Sequence, residues 1–158
     1  MSQLATGALR VGDNAPDFDL RDQHGQPFKL SAMRGQRRVV IVFYPWAFSS
    51  VCSTELDDIR DAWPMFSSHE VEVVGLSCDP TYALRAFSDT HNIEFPLLSD
   101  FWPHGAVASA YGVFDPDLGC ARRSTFIIDR DGAVAWQVHN AMPDARNLHE
   151  YAEVLDRI

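Results

Sequence analysis

One of the three cysteines, Cys52, lies where the sequence favours a reactive thiol. It follows the β-branched apolar run 39–44, which is typical of a strand buried on both faces, and the short loop 45–49. Leu56 and Ile59 continue beyond it at helical spacing. We therefore predict Cys52 in the first turn of a helix, where unpaired backbone N–H groups and the helix dipole stabilise an anion. Because the thiolate is the nucleophile, this position predicts nucleophilic sulfur chemistry.

Two residues in the preceding loop suit the same chemistry. Ser49 lies three residues before Cys52, so its hydroxyl can donate a hydrogen bond to the sulfur, cap the helix, or do both. Pro45 fixes the exit of the chain from the strand and can shield one side of the site from water. The spacing alone also fits a buried, inert cysteine, which is common in proteins.

Strand and helix patterns alternate along the chain and are followed by a hairpin and a last helix. This order predicts a single α/β domain, 1–158, with a central mixed sheet, helices on both faces and an N-terminal hairpin. An apolar stripe of Leu56, Ile59, Trp63 and Phe66 predicts one long helix after Cys52. The other predicted elements are strands at 17–20, 27–30, 71–77, 96–100, 125–129 and 134–138 and helices at 81–91, 107–111 and 147–158.

The composition excludes several classes of function. A formal net charge of -9 repels nucleic-acid phosphates and anionic membrane surfaces. The first residues lack the pattern of a signal peptide, and the longest apolar run, 39–48, is half a membrane span and contains Pro45. We therefore expect a cytoplasmic protein whose cysteines are thiols rather than a disulfide framework.

Several separated motifs resemble the peroxiredoxin family. Pro45, Ser49 and Cys52 match the active-site pattern Pro-x-x-x-(Thr/Ser)-x-x-Cys, and Glu55 completes the accompanying Cys-x-x-Glu. The segment 123–129, Arg-Ser-Thr-Phe-Ile-Ile-Asp, is similar to the strand that carries a second-site arginine. The opening 12–18 resembles the family's entry strand, and 95–107 resembles the one-cysteine, alkyl hydroperoxide reductase E (AhpE) type. The resemblance covers nearly the whole chain.

The resemblance implies a thioredoxin-like fold and a role for each matched residue. Cys52 would be the peroxidatic nucleophile, oxidised to a sulfenic acid by the peroxide. Arg123 would lie beside the sulfur and polarise the O–O bond, while Ser49 and the Cys52 backbone N–H hold the peroxide oxygens. Pro45 would close the pocket, and Glu55 would orient Arg123 through a carboxylate–guanidinium pair. Arg122, on the opposite face of the strand, is expected to face solvent.

The resemblance also implies the partners of the reaction. The substrates would be hydrogen peroxide, organic hydroperoxides or peroxynitrite, and the reductant a low-molecular-weight thiol or a thioredoxin- or glutaredoxin-like protein. No cofactor is implied, because the sulfur itself carries the electrons. No metal is implied either, since the six histidines show no ligand spacing. A homodimer is expected.

Other cysteines and aromatic residues leave alternatives open. Cys78 ends a predicted strand and is expected to be buried and inert. Cys120 is either a loop residue without a role or a resolving thiol for Cys52. Trp46, Phe48 and Trp102 fit equally well a core, a substrate mouth or a dimer face.

Three rival functions share parts of these patterns. A thioredoxin-like thiol–disulfide oxidoreductase would have the same fold, but it requires Cys-x-x-Cys and position 49 is serine. A non-enzymatic binding module would leave the co-occurrence of Pro45, Ser49 and Arg123 unexplained. A cysteine hydrolase ranks last, because the sequence shows no recognisable Cys-His-Asn arrangement.

Overall fold

The computed structural model describes residues 9–141 and 146–158. The strands are β1 (Asp19–Arg21), β2 (Pro27–Lys29), β3 (Arg38–Phe43), β4 (Val71–Ser77), β5 (Leu97–Ser99), β6 (Phe114–Asp115), β7 (Cys120–Ala121), β8 (Ser124–Ile128) and β9 (Val134–His139). The helices are α1 (Ser50–Asp61), α2 (Trp63–Ser68), α3 (Thr81–His91), α4 (Ala106–Ala110) and α5 (Leu148–Arg157), and a 3-10 turn spans Leu30–Met33. No helix in the described ranges is long and apolar enough to cross a membrane.

A five-stranded mixed sheet in the order β5-β4-β3-β8-β9 confirms the predicted architecture. β3 pairs in parallel with β4 and antiparallel with β8, and it is central because residues 39–44 are at most 1% exposed. Phe43 pairs with Leu76 of β4 and with Ser124 of β8. Arg123, directly before β8, therefore lies beside the carboxyl end of β3, where the chain leaves for α1.

Each face of the sheet has its own apolar cluster, because alternate residues of β3 point to opposite sides. Val40 and Val42 pack with Cys52 and with side chains of α1, α3 and α5. Val39 and Ile41 pack on the other side with the N-terminal segments and α4. Cys52 is thus part of the core at the point where α1 begins.

The structure corrects two details of the sequence prediction. The long helix after Cys52 is two helices, since Pro64 lies in the first turn of α2 and cannot donate the backbone hydrogen bond that would continue α1. Trp63 is consequently 42% exposed instead of joining the core stripe. The hairpin of β6 and β7 was not predicted from the sequence, and it places Cys120 in a fully buried strand rather than in a loop.

A pH-dependent contact joins the end of α2 to α5, and it supports a first prediction. His69 Nε2 lies 2.6 Å from Asp156 Oδ1, and this bond, together with one to the Met65 carbonyl, raises the pKa of His69. The stabilising contribution is present below the ordinary pKa of 6.5 and is lost as the pH rises through the higher folded-state value. Because Asp156 is 72% exposed, we expect at most about 1 kcal/mol.

Urea unfolding of wild type and His69→Gln between about pH 5.5 and 8.5 measures this contribution. The stability difference between the two proteins should be largest at the acid end and should shrink towards the alkaline end. A difference that stays constant across this range would contradict the prediction.

Candidate active site

The loop between β3 and α1 places Cys52 in the first turn of α1. Pro45 is buried at the end of the strand, and Phe48 has a positive φ of 69°, which turns the backbone into the helix. Ser49 occupies the N-cap position in an extended conformation, and Cys52 is the third residue of α1 and fully buried. The predicted placement in the first helical turn is confirmed.

Ser49 differs from the expected capping residue in one respect. Its side chain makes no capping hydrogen bond within the described chain, although its backbone carbonyl accepts from the Ser53 N–H. The hydroxyl is instead half-buried and lines a cavity of about 250 Å³. The capping role that the sequence allowed for this hydroxyl is therefore not seen in the structure.

This cavity is lined by four of the six predicted site residues, while Cys52 and Glu55 are buried outside its lining. Its lining includes Pro45, Ser49, Cys120 and Arg123, while Trp46, Ser50, Val51 and Leu118 complete the wall. Trp46 and Leu118 are 39% and 57% exposed, so they form an apolar mouth. Phe48 and Trp102 are also exposed, which excludes a core role for both in the isolated chain.

Arg123 connects the cavity to the sulfur. Its Nη1 lies 3.4 Å from Cys52 Sγ, and the residue is only 3% exposed. Nη1 also contacts Glu55 Oε1. Cys52 and Glu55 are three residues apart on α1 and so lie on the same helix face, where one guanidinium reaches both. The contact places a positive charge directly beside the sulfur.

A second buried arginine, Arg146, completes the cluster and was missed in the sequence. Its backbone N–H donates to Glu55 Oε2 at 2.6 Å, and its Nη1 donates to Oε1 at 2.6 Å. Its Nε donates to Thr125 Oγ1 at 2.9 Å, and its Nη2 donates to the Phe43 carbonyl. Burial lowers the pKa of Arg146, while the Glu55 carboxylate opposes that change. A buried carboxylate needs compensating partners, and this general requirement was the only signal by which the sequence could have indicated a second cation.

Asp79 ties the Cys52 loop to the end of β4. Its Oδ2 accepts hydrogen bonds from the Ala47 backbone N–H at 2.9 Å and from Ser77 Oγ at 2.8 Å. Ser99 Oγ donates to its carbonyl at 2.6 Å. Burial raises the pKa of Asp79. The sequence pattern did not mark this residue, because its contact with the loop depends on the parallel pairing of β3 with β4.

The two remaining cysteines are unlike Cys52 in their surroundings. Burial raises the pKa of Cys78 to about 12 and that of Cys120 to about 11, and both thiols are free. At neutral pH both are therefore almost entirely protonated, which makes them weak nucleophiles. Cys120 nevertheless lines the same cavity as Ser49 and Arg123, so its resolving role stays a prediction.

Replacing Arg123 should slow the first oxidation step. We expect Arg123→Gln to lower the second-order rate constant with hydrogen peroxide by about 10²–10³, the usual loss when one preorganised donor is removed. Stopped-flow measurement gives that constant, and the rate of alkylation by iodoacetamide reports how much thiolate remains. Arg130→Gln, an exposed arginine after β8, is the matched control. An Arg123→Gln protein as fast as this control would contradict the assignment.

Comparison with known proteins identifies the relatives of this chain. The AhpC/TSA family matches residues 11–137. Alkyl hydroperoxide reductase E of Mycobacterium tuberculosis is 40% identical over 147 residues, which cover 93% of this chain and 96% of that protein. The selenocysteine-containing peroxiredoxin PrxU of Peptoclostridium acidaminophilum is 35% identical, with 90% of this chain and 73% of that protein covered.

Solved structures of similar proteins share the fold of this chain. The crystal structure of peroxidoxin BcpB from Mycobacterium tuberculosis has a TM-score of 0.85 and 32% identity, covering 95% of this chain and 98% of that one. Enterococcus faecalis AhpC has a TM-score of 0.86 and 29% identity, with 94% and 92% covered. With a thioredoxin-like fold and homologues of this kind, the chain belongs to the AhpC/TSA family and is a peroxiredoxin, a thiol-dependent peroxidase.

Proposed function

We propose that Cys52 is the peroxidatic cysteine and that its sulfur carries the oxidation. The thiolate attacks the terminal oxygen of a hydroperoxide, so that an S–O bond forms while the O–O bond breaks. Sulfur is oxidised to a sulfenic acid, and the peroxide is reduced to an alcohol or water after the leaving oxygen takes a proton from solvent. The observation that carries this proposal is the 3.4 Å contact of Cys52 Sγ with Nη1 of Arg123, a residue that itself lines an open cavity.

Each neighbouring group has a defined task in this step. Arg123 offers its guanidinium both to the sulfur and to the oxygen that gains charge as the O–O bond breaks. The Ser49 hydroxyl and the Cys52 backbone N–H donate to the peroxide oxygens and keep them in line with the sulfur. Pro45, buried at the base of the loop, limits the access of water. Glu55, held by Arg146, fixes the direction of Arg123.

The cavity suggests which peroxides react. Hydrogen peroxide and peroxynitrite fit its volume of about 250 Å³ easily. Trp46 and Leu118 supply an apolar mouth, which favours organic hydroperoxides with an alkyl chain over a fully hydrated substrate. We therefore include organic hydroperoxides among the substrates.

The sulfenic acid has to be reduced by a thiol. A low-molecular-weight thiol, or a thioredoxin- or glutaredoxin-like protein, attacks the Cys52 sulfur and expels water, and a second thiol then resolves the mixed disulfide. We favour this external thiol over Cys120 as the reductant, because burial raises the pKa of the Cys120 thiol to about 11 and leaves little thiolate at neutral pH. Cys120 remains the internal candidate, since it lines the cavity.

We further propose a cytoplasmic homodimer. Three free cysteines suit a reducing compartment. Phe48 and Trp102 are 52% and 80% exposed, and apolar rings of that size suit an interface between copies of the chain. Sedimentation velocity of wild type and Trp102→Ser tests the assembly.

The experiment that tests the peroxidase step is stopped-flow tryptophan fluorescence of the reduced protein mixed with hydrogen peroxide. Trp46 in the cavity wall should report the oxidation of Cys52. We expect a fast, stoichiometric change and a dimedone adduct that mass spectrometry locates on Cys52. A reaction no faster than that of a free thiol, or an adduct on Cys78 or Cys120 alone, would overturn the assignment.

A further inference from the structure

A second cavity, of about 260 Å³, lies on the opposite side of the strand that carries Arg123. Adjacent residues in an extended segment point to opposite faces, so Arg123 lines the first cavity, beside Ser49, while Arg122 and Ser124 line this one. Leu9, Tyr111 and Val113 form its apolar wall. Arg122, which was expected to face solvent, is half-buried at this cavity.

Part of the polar lining is already saturated with hydrogen bonds. Gln137 Nε2 donates to the Leu9 carbonyl at 2.9 Å, which leaves Gln137 Oε1 as acceptor for His139 Nε2 at 2.8 Å. Ser124 Oγ then donates to His139 Nδ1 at 2.8 Å. Burial and the nearby charge of Arg122 lower the pKa of His139, so the imidazole is neutral at neutral pH. The histidine thus adds neither a charge nor a spare hydrogen bond.

Two lining groups remain without partners in the described chain. The guanidinium of Arg122 makes no ion pair or side-chain hydrogen bond there, and Arg122 is held only through its backbone N–H, which donates to the Val113 carbonyl. Asn140 Oδ1 is buried and accepts no hydrogen bond. The Asn140 backbone N–H donates to the Arg123 carbonyl at 2.8 Å, which fixes Asn140 next to the segment of Arg122. Within the described chain, the same cavity is thus lined by a cation without a counter-ion and by a buried acceptor without a hydrogen-bond donor.

We propose that this cavity binds a small 2-hydroxy carboxylic acid with an apolar side chain. The carboxylate would pair with the Arg122 guanidinium, the arrangement that guanidinium groups favour most. The hydroxyl would donate to Asn140 Oδ1, and the apolar remainder would pack on Leu9 and Tyr111. A 2-amino acid fits less well, because its ammonium group would lie beside Arg122 and be repelled.

The test uses 2-hydroxy-4-methylpentanoate, each enantiomer separately, against 4-methylpentanoate, which differs only in lacking the hydroxyl. Titrations followed by amide chemical shifts report binding without any dependence on peroxide turnover. We expect one hydroxy acid to shift the amides of Arg122 and Asn140 and to bind at least about fivefold more tightly than its deoxy analogue. Equal affinity of the two acids, or no saturable shift at millimolar ligand, would overturn the proposal.

Two variants test the proposed carboxylate and hydroxyl contacts one at a time. Arg122→Gln should weaken binding of the hydroxy acid by about tenfold or more, since a charge-assisted pair is lost. Asn140→Ala should abolish the advantage of the hydroxy acid over its deoxy analogue, which a merely structural change would not do. Arg85→Gln, an exposed arginine paired with Asp89 on α3, is the matched control. Binding to Arg122→Gln as tight as to this control would refute the site.

Discussion

A Cys52→Ser protein is expected to reduce hydrogen peroxide no faster than the buffer and thiol around it. A serine hydroxyl is not ionised at neutral pH and has no accessible counterpart of the sulfenic acid, so the loss should be at least roughly 10³-fold. The substitution is nearly isosteric, and Arg123 Nη1, 3.4 Å from the sulfur, retains an acceptor in the new hydroxyl. Peroxide consumption and the fluorescence change should disappear together while the fold persists.

The other cysteines provide the comparison. Cys78→Ser removes a thiol whose pKa burial raises to about 12, and it should keep the rate of the first step. Cys120→Ser tests the internal resolving role in steady state with a small-thiol reductant. Loss of turnover with an intact first step would assign that role to Cys120, and unchanged turnover would end it. Residual stoichiometric oxidation in Cys52→Ser would contradict the assignment of the nucleophile.

The second large effect is expected on stability, in Glu55→Gln. The Glu55 side chain is 2% exposed and is shared by Arg123 and Arg146, whose side chains are 3% and 1% exposed. Removing its charge takes this shared carboxylate away from two buried cations, which should cost about 3–5 kcal/mol in the free energy of unfolding. Glutamine has nearly the same shape, so the loss cannot come from a cavity. Urea unfolding monitored by circular dichroism measures it.

Two further variants identify the cause of that loss. Asp58→Asn removes an exposed charge from the same helix and should stay within about 0.5 kcal/mol of wild type. Adding Arg146→Met to Glu55→Gln should recover part of the lost stability, because the buried Arg146 charge that loses the Glu55 carboxylate is then gone. A Glu55→Gln protein within about 1 kcal/mol of wild type would mean that the cluster contributes little to folding.

Local patterns predicted the elements that position the nucleophile. The apolar run 39–44 is the central strand, and Cys52 and Glu55 share a face of the following helix because helical spacing requires it. The assignment of Arg123 came from a motif, but its distance from the sulfur depends on the antiparallel register of β3 and β8. No local pattern specifies that register.

Long-range contacts account for what the sequence did not reveal. Arg146 and Glu55 are in contact although they are 91 positions apart in sequence. The segment that contains Arg146 lies before α5 and shows no helical or strand periodicity. Asp79 contacts the Cys52 loop only because β3 and β4 run in parallel. The second cavity combines residue 9 with the ends of β8 and β9, which no spacing rule connects.

The sharing of one carboxylate by two arginines places two positive charges and one negative charge on three neighbouring side chains, Glu55, Arg123 and Arg146. Arg123 is the one of the two arginines that also contacts Cys52 Sγ, at 3.4 Å. An anion that approaches this sulfur therefore meets a positive group directly beside it. Since a sulfenic acid is neutral, we expect the same guanidinium to attract a reducing thiolate once the sulfur has been oxidised. One guanidinium would thus serve both the step that oxidises the sulfur and the step that reduces it.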